Sequence, residues 1–137
     1  METFQVHILA ADKTFYEGPC VSLVVPTTDG ERGILAHHSS MIAAIQPGTL
    51  RYQVPGEEPR LAAISPGMVK VEDNDVLVLV DSAERPEEID EARARREIEE
   101  AQEALLQQRS RQEHQIAQAT LARALNRLRV KNMGIGR

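Results

Sequence analysis

The stretch Val76-Leu77-Val78-Leu79-Val80-Asp81-Ser82-Ala83-Glu84-Arg85-Pro86-Glu87-Glu88-Ile89-Asp90-Glu91-Ala92-Arg93-Ala94 places two kinds of sequence on either side of one proline. Its first five residues are a short, β-branched apolar run, the pattern of a buried strand. Beyond Pro86 the apolar residues space out and charges fill the intervals. Six of the seven prolines and six of the eight glycines precede Pro86, and residues 87–131 contain neither. The chain therefore divides here, into residues 1–85 and residues 86–137, with a different backbone period in each part.

Upstream, the strand pattern recurs at Phe4–Leu9, Val21–Val25, Leu50–Val54 and Met68–Val71. The separators are Asp29-Gly30, Gln46-Pro47-Gly48, Val54-Pro55-Gly56, Ser65-Pro66-Gly67 and Asp73-Asn74-Asp75. Each is turn chemistry, since Pro presets φ and Gly, Asn or Asp tolerates positive φ. Short strands about ten residues apart predict an N-terminal antiparallel β-sandwich or flattened barrel. Downstream, Ala94, Ile98, Ala101 and Leu105 recur at helical steps, and Ala117, Leu121, Ala124 and Leu128 repeat them. The segment Gln107–Gln112 has no apolar residue and separates the two stripes. The expectation is a C-terminal two-helix antiparallel hairpin. Its alanine-rich stripes give it little core of its own, so it needs a partner surface.

Composition narrows the function classes. A chain of 137 residues allows one domain, or a small domain with an appendage. With 42% hydrophobic residues but no unbroken apolar run of about 18, the chain is expected to be soluble, without a spanning helix. Aromatics at 3% and a net charge of −5 argue against nucleic-acid binding. The lone Cys20 cannot form an internal disulfide, which fits a reducing compartment. Met1-Glu2-Thr3-Phe4 carries no basic or apolar leader pattern. Charge is segregated: residues 86–108 hold 3 basic and 8 acidic side chains, and residues 109–137 hold 7 basic and 1 acidic. The two helices can attract one another, though each exposed pair is worth only about 0.2–1 kcal/mol.

No P-loop, GxGxxG, HExxH or GxSxG motif occurs. His37 and His38 precede Ser39 and Ser40, yet neighbours on extended chain point to opposite sides and cannot converge on one ion. A structural loop is expected there. His7 and His114 have no partner at metal-ligand spacing, and Cys20 has no basic neighbour to activate it. Two constellations remain. Asp90 and Arg93 lie one turn apart at the start of the first helix, as a local ion pair or as part of a ligand site. Arg123 and Arg127 share a face of the second helix, with Arg129 and Lys131 beyond, as a solvated basic face or as a grip on a phosphate chain. An antiparallel hairpin would bring both constellations together.

The segment Val25-Pro26-Thr27-Thr28-Asp29-Gly30-Glu31-Arg32-Gly33-Ile34-Leu35-Ala36-His37-His38, followed by Ile45-Gln46-Pro47-Gly48-Thr49-Leu50, resembles the N-terminal domain of the ε subunits of F-type ATP synthases. Ser65–Val71 and Val76–Glu84 resemble the later strands of that domain, and the helical half resembles its C-terminal hairpin. The resemblance implies a sandwich that binds the γ subunit and rests on the c-ring. It also implies a hairpin that is permissive when folded and inhibits ATP hydrolysis when extended along γ toward the α and β catalytic subunits. Such a subunit couples rotation to catalysis with no catalytic residue of its own, no required cofactor and no metal. It would sit peripherally on the cytoplasmic face of a bacterial cell membrane, without insertion.

Some family members bind regulatory ATP through a motif matched here by Ile89, Asp90, Arg93 and Ala94, with Glu84 before it and Arg123 and Arg127 on the second helix. A position beyond the motif that is basic in those members is Glu100 here, and a Gly-Phe pair of the family is replaced by Pro66, Gly67 and Met68. Two other classes stand beside this reading: a free-standing nucleotide-sensing module, and a hydrolase using Ser39 with His37 or His38.

Overall fold

The computed structural model describes residues 2–107 and 110–135. The chain forms two compact units, Met1–Glu84 and Arg85–Arg137. The first consists of strands β1 (Phe4–Ala10), β2 (Thr14–Cys20), β3 (Ser22–Thr27), β4 (Gly30–Leu35), β5 (Met41–Ile45), β6 (Gly48–Gln53), β7 (Arg60–Ile64), β8 (Gly67–Glu72), β9 (Asp75–Val80) and β10 (Ala83–Glu84). They pair in the order β10-β7-β6-β3-β5-β8-β9-β1-β2, with β4 also on β3.

The bend that turns this ribbon into a sandwich lies at β3. One edge of β3 pairs with β4 from Ser22 to Thr27, while its other edge is shared, with β6 at Ser22–Val24 and with β5 only at Thr27. The single Thr27–Ile45 pairing joins two half-sheets that close over one core. Inward residues alternate along each strand, as a half-buried sheet requires: Phe4, Val6 and Ile8 on β1, Leu23 and Val25 on β3, Leu50 and Tyr52 on β6, Val76, Val78 and Val80 on β9. Each fully buried aliphatic side chain contributes about 1.5–3 kcal/mol. Strands far apart in the pairing order meet where the rings of Phe15 on β2 and Tyr52 on β6 pack edge-to-face, with centroids 6.0 Å apart.

All five predicted separators are turns or strand breaks. The sharpest is Asp73-Asn74, where φ of 50° and 61° gives the left-handed pair that a two-residue hairpin between β8 and β9 needs. Asn74 also fastens its surroundings: its side-chain amide donates to the Thr3 carbonyl at 3.0 Å, and its Oδ1 accepts the His37 backbone N–H at 2.7 Å. His37 itself sits at φ 63° in a loop, and His38 Nδ1 lies 2.7 Å from the Ser39 carbonyl oxygen. Cys20 is fully buried with Sγ at 3.0 Å from the Ser22 carbonyl, and burial pushes its thiol pKa up. Strands β2, β4, β5, β7 and β10 add to the runs read from sequence, and the β1–β9 pairing is parallel.

The second unit starts with a 3₁₀ turn, Pro86–Glu88, followed by α1 (Glu91–Leu106) and α2 (Arg111–Ile135). Both predicted stripes point inward: Ala94, Ala101, Ala117 and Ala124 are buried, and Ile98, Leu105, Leu121 and Leu128 are half-buried. The predicted polar connection places Gln107 at the end of α1 and Ser110 before α2, with Ser110 Oγ accepting the Glu113 N–H at 3.2 Å. Gln108 and Arg109 lie outside the described residues, as do Gly136 and Arg137 of the predicted tail.

Two features of the sandwich lead to predictions. At Gly67 a Cβ would stand 1.8 Å from the Leu79 carbonyl oxygen, a backbone atom that cannot yield. Gly67→Ala should therefore destabilise the sandwich by about 1–3 kcal/mol or more, read as a lower urea midpoint; an unchanged midpoint would show that the strands spread at no cost. His7 on β1 has Nδ1 2.6 Å from Glu17 on β2 and Nε2 3.1 Å from Asp75 on β9. The hydrogen bond to Glu17, with Asp75 adding to it and burial opposing, raises the His7 pKa above the ordinary 6.5. A raised folded-state value makes this contribution complete below pH 6.5 and lost as pH rises through the elevated value. The thermal midpoint of the sandwich should fall across that window in the native chain, and His7→Gln should flatten the fall.

Candidate functional site

The residues singled out by the sequence cluster at one end of the helical unit. Pro86 opens the 3₁₀ turn, where its missing N–H costs nothing, and the Glu88 side chain accepts the Arg85 N–H at 2.9 Å. Ile89 follows, 3% exposed, and Asp90 takes extended backbone geometry as the N-cap of α1. Its Oδ1 accepts the backbone N–H of Arg93 at 3.1 Å. The expected Asp90–Arg93 relation is thus a helix cap: three residues of separation bring the carboxylate to the open N–H groups of the first turn. The Arg93 side chain leaves in the opposite direction and pairs with Glu97, Nε to Oε1 at 3.1 Å. Ala94 is buried, leaving space for α2 to approach.

From α2, Arg127 reaches back across the hairpin to Glu97 Oε2 at 3.4 Å, while Arg123 lies exposed one turn earlier. The antiparallel hairpin therefore brings Arg93 and Arg127 together, through Glu97. That carboxylate was missed in the sequence, although its spacing of four from Arg93 is the signal of an i,i+4 ion pair. Lys131 Nζ donates to the Pro86 carbonyl at 3.0 Å, and Gly134 lies so close to the Pro86 ring that a Cβ there would stand 2.5 Å from the proline Cβ. Glu84, the remaining predicted site residue, belongs to the sandwich unit, where it pairs in register with Ala63 at the edge of the sheet.

The opposite end of the hairpin is looser. A cleft of about 250 Å³ opens between the helices, lined by Glu100, Ala101, Ala104, Glu113, Ile116, Ala117 and Thr120. Leu106, the last residue of α1, is 86% exposed. Glu100 lines this cleft, one helical turn beyond Glu97. Among the described residues no cluster of His, Cys, Asp or Glu could hold a metal ion, and no helix is long and apolar enough to cross a membrane.

Fold and site together define a two-unit protein, a β-sandwich followed by a helical hairpin with a charged cluster at its base. The ATP synthase Delta/Epsilon chain β-sandwich domain matches residues 3–86, and the long α-helix domain of the same chain matches residues 87–132. The ATP synthase epsilon chain of Caldanaerobacter subterraneus is 42% identical, covering 94% of this chain and 94% of its own. That of Ruminococcus albus is 41% identical over 96% and 98% of the two chains. Among solved structures, a chain of the Euglena gracilis mitochondrial ATP synthase (OSCP/F1/c-ring) shares the fold with a TM-score of 0.79 at 24% identity, covering 88% of this chain and 76% of that one. A chain of the Tetrahymena thermophila mitochondrial ATP synthase central stalk and c-ring does so with a TM-score of 0.65 at 12% identity, over 95% and 97%. The chain belongs to the ATP synthase delta/epsilon chain family.

The capping role of Asp90 is testable by itself. Asp90→Ala should destabilise the helical unit by about 0.5–2 kcal/mol, while Asp90→Ser, which keeps a capping oxygen, should lose much less. Amide exchange in the first turn of α1 reports the difference; equal protection in both variants would remove the cap from the account.

Proposed function

We propose that this chain is a central-stalk rotor subunit of a proton-translocating F-type ATP synthase, coupling rotation of γ and the c-ring to ATP synthesis and restraining ATP hydrolysis through its C-terminal helices. One observation carries the reading: both units, sandwich and hairpin, match their family domains in order and without a gap between residues 3 and 132. The Euglena and Tetrahymena assemblies that share the fold are described with a c-ring, which supports the same placement. In this reading the sandwich contacts γ and the c-ring, and the subunit sits peripherally on the cytoplasmic face of a bacterial membrane. It has no catalytic residue; its work is mechanical and regulatory.

The hairpin supports the regulatory half physically. Its buried side chains are mostly small, Ala94, Ala101, Ala117 and Ala124, with Val130 the one large apolar side chain of α1 and α2 fully buried among the described residues. Ile98, Leu105, Leu121 and Leu128 are only half-buried, so the apolar area holding the helices together is modest. A weak seam lets α2 leave α1 and extend toward the α and β subunits, the kind of two-state element a switch requires. Regulatory ATP fits at the base of the hairpin, with Arg93, Arg123 and Arg127 as phosphate-binding groups and Ile89 and Ala94 as apolar neighbours. Asp90 fixes the local backbone. A nucleotide at ten times its Kd, bound only to the folded hairpin, shifts the balance by about 1.4 kcal/mol. That is enough to tune two states already within a few kcal/mol of each other.

The test is ATP hydrolysis by a catalytic head depleted of its ε subunit, with this chain added back whole or truncated after Ala83. The whole chain is expected to bind and inhibit, and the truncated chain to bind without inhibiting. If neither form binds or alters turnover, the rotor reading fails.

A further inference from the structure

The base of the hairpin already contains an anion. Glu97 presents Oε1 to Arg93 on its own helix at 3.1 Å and Oε2 to Arg127 on the facing helix at 3.4 Å. One oxygen serves each helix, the bridging arrangement that a phosphate group would adopt between two guanidinium groups. The carboxylate is also sheltered: the Glu97 side chain is 23% exposed, against 69% for Arg93. We propose that Glu97 is a built-in counter-anion that holds the Arg93–Arg127 pair in place of a ligand phosphate. The hairpin of this chain then stays closed without nucleotide, and a polyphosphate gains the arginines only by displacing Glu97. The ligand class rests on the nucleotide reading above; the internal bridge does not.

Two consequences follow from simple electrostatics. A phosphate entering this site meets arginines already neutralised and a carboxylate of its own sign, so it binds more weakly than to an uncompensated pair. Replacing Glu97 with the isosteric Gln removes the competing charge and keeps the shape. The two ion pairs it gives up, each worth about 0.2–1 kcal/mol, correspond to about a twofold to thirtyfold gain in polyphosphate affinity. Without ligand the same substitution leaves α2 without its bridge to α1, so the hairpin opens more often.

The test uses the full chain, native and Glu97→Gln, with ATP and with inorganic pyrophosphate. Calorimetry measures binding, and hydrogen exchange of the α1 and α2 amides measures closure, with Arg127→Ala as the variant that removes the bridge from the other side. The expected result is tighter binding of ATP to Glu97→Gln than to the native chain. Faster exchange is expected in ligand-free Glu97→Gln and Arg127→Ala, restored in Glu97→Gln by ATP. A matching gain for pyrophosphate assigns the effect to the phosphates; a gain for ATP alone adds a requirement for the nucleoside, and both support the proposal. Equal ATP affinity in the two chains overturns it while leaving the nucleotide reading intact. If neither chain binds either ligand, the nucleotide reading falls, and exchange decides the bridge: faster exchange in both variants sustains it, and unchanged exchange overturns it.

Discussion

Proline has no backbone N–H, and at Pro86 that missing donor separates two kinds of structure. The sheet ladder ends at Glu84, where β10 makes its last pairing, and the 3₁₀ turn begins two residues later. A residue with a backbone N–H at that position could have extended the edge strand, which proline cannot. Instead the first turn of the helical unit is preset by the fixed φ of the ring, and the Pro86 carbonyl is left to accept a bond from Lys131 at 3.0 Å. The residue that opens the helical unit therefore also receives the end of that unit's last helix. Gly134 completes the contact, because any larger residue would meet the proline ring.

Much of the sandwich was legible because its strongest strands carry their own label. Val76, Val78 and Val80 alternate inward, and the five turn clusters mark where each run must stop. Five strands were not legible, for physical reasons, the two-residue β10 because it is too short to carry any alternation. β2 is Thr14–Cys20 with Gly18 and Pro19 inside it, a composition tolerated because it ends the pairing order and has one free edge. β4 has five of its six residues exposed, so no hydrophobic alternation betrays it. β5 and β7 are alanine-containing and short, and alanine speaks for helix as readily as for strand. The parallel pairing of β1 with β9 joins residues some seventy positions apart, and no local pattern encodes it.

The helical site was legible in outline and misread in detail. Spacing placed Asp90, Arg93 and Arg127 at one end of an antiparallel hairpin, where the Arg93–Glu97–Arg127 cluster lies. Spacing alone could not say which carboxylate the arginines would choose. Asp90 is drawn to the open N–H groups of the helix start, which only a residue at that position can satisfy, and this leaves Arg93 to Glu97. A charge cluster read as opposite pairs thus resolves into a cap and a bridge, because backbone donors compete for the carboxylates as strongly as arginines do.

The distribution of these contacts sets the order in which such a hairpin can open. Its loop end is covalently joined, so α2 cannot separate from α1 there first, even though the helices gape around the cleft between Ala101 and Ala117. Separation must begin at the other end, where Lys131 meets Pro86 and Arg127 meets Glu97. Each of these contacts is polar and partly exposed, and the apolar surface that the last turns of α2 would give up is centred on Val130, fully buried between Arg127 and Lys131 in the sequence. Once released, those turns free Arg127 and Lys131 beside the already exposed Arg123 and Arg129, a basic segment whose approach to an acidic surface is steered by charge and weakened by salt. The contacts that close the hairpin and the charges that would guide it elsewhere are therefore carried by the same side chains, so any anion that occupies Arg127 acts on both states at once.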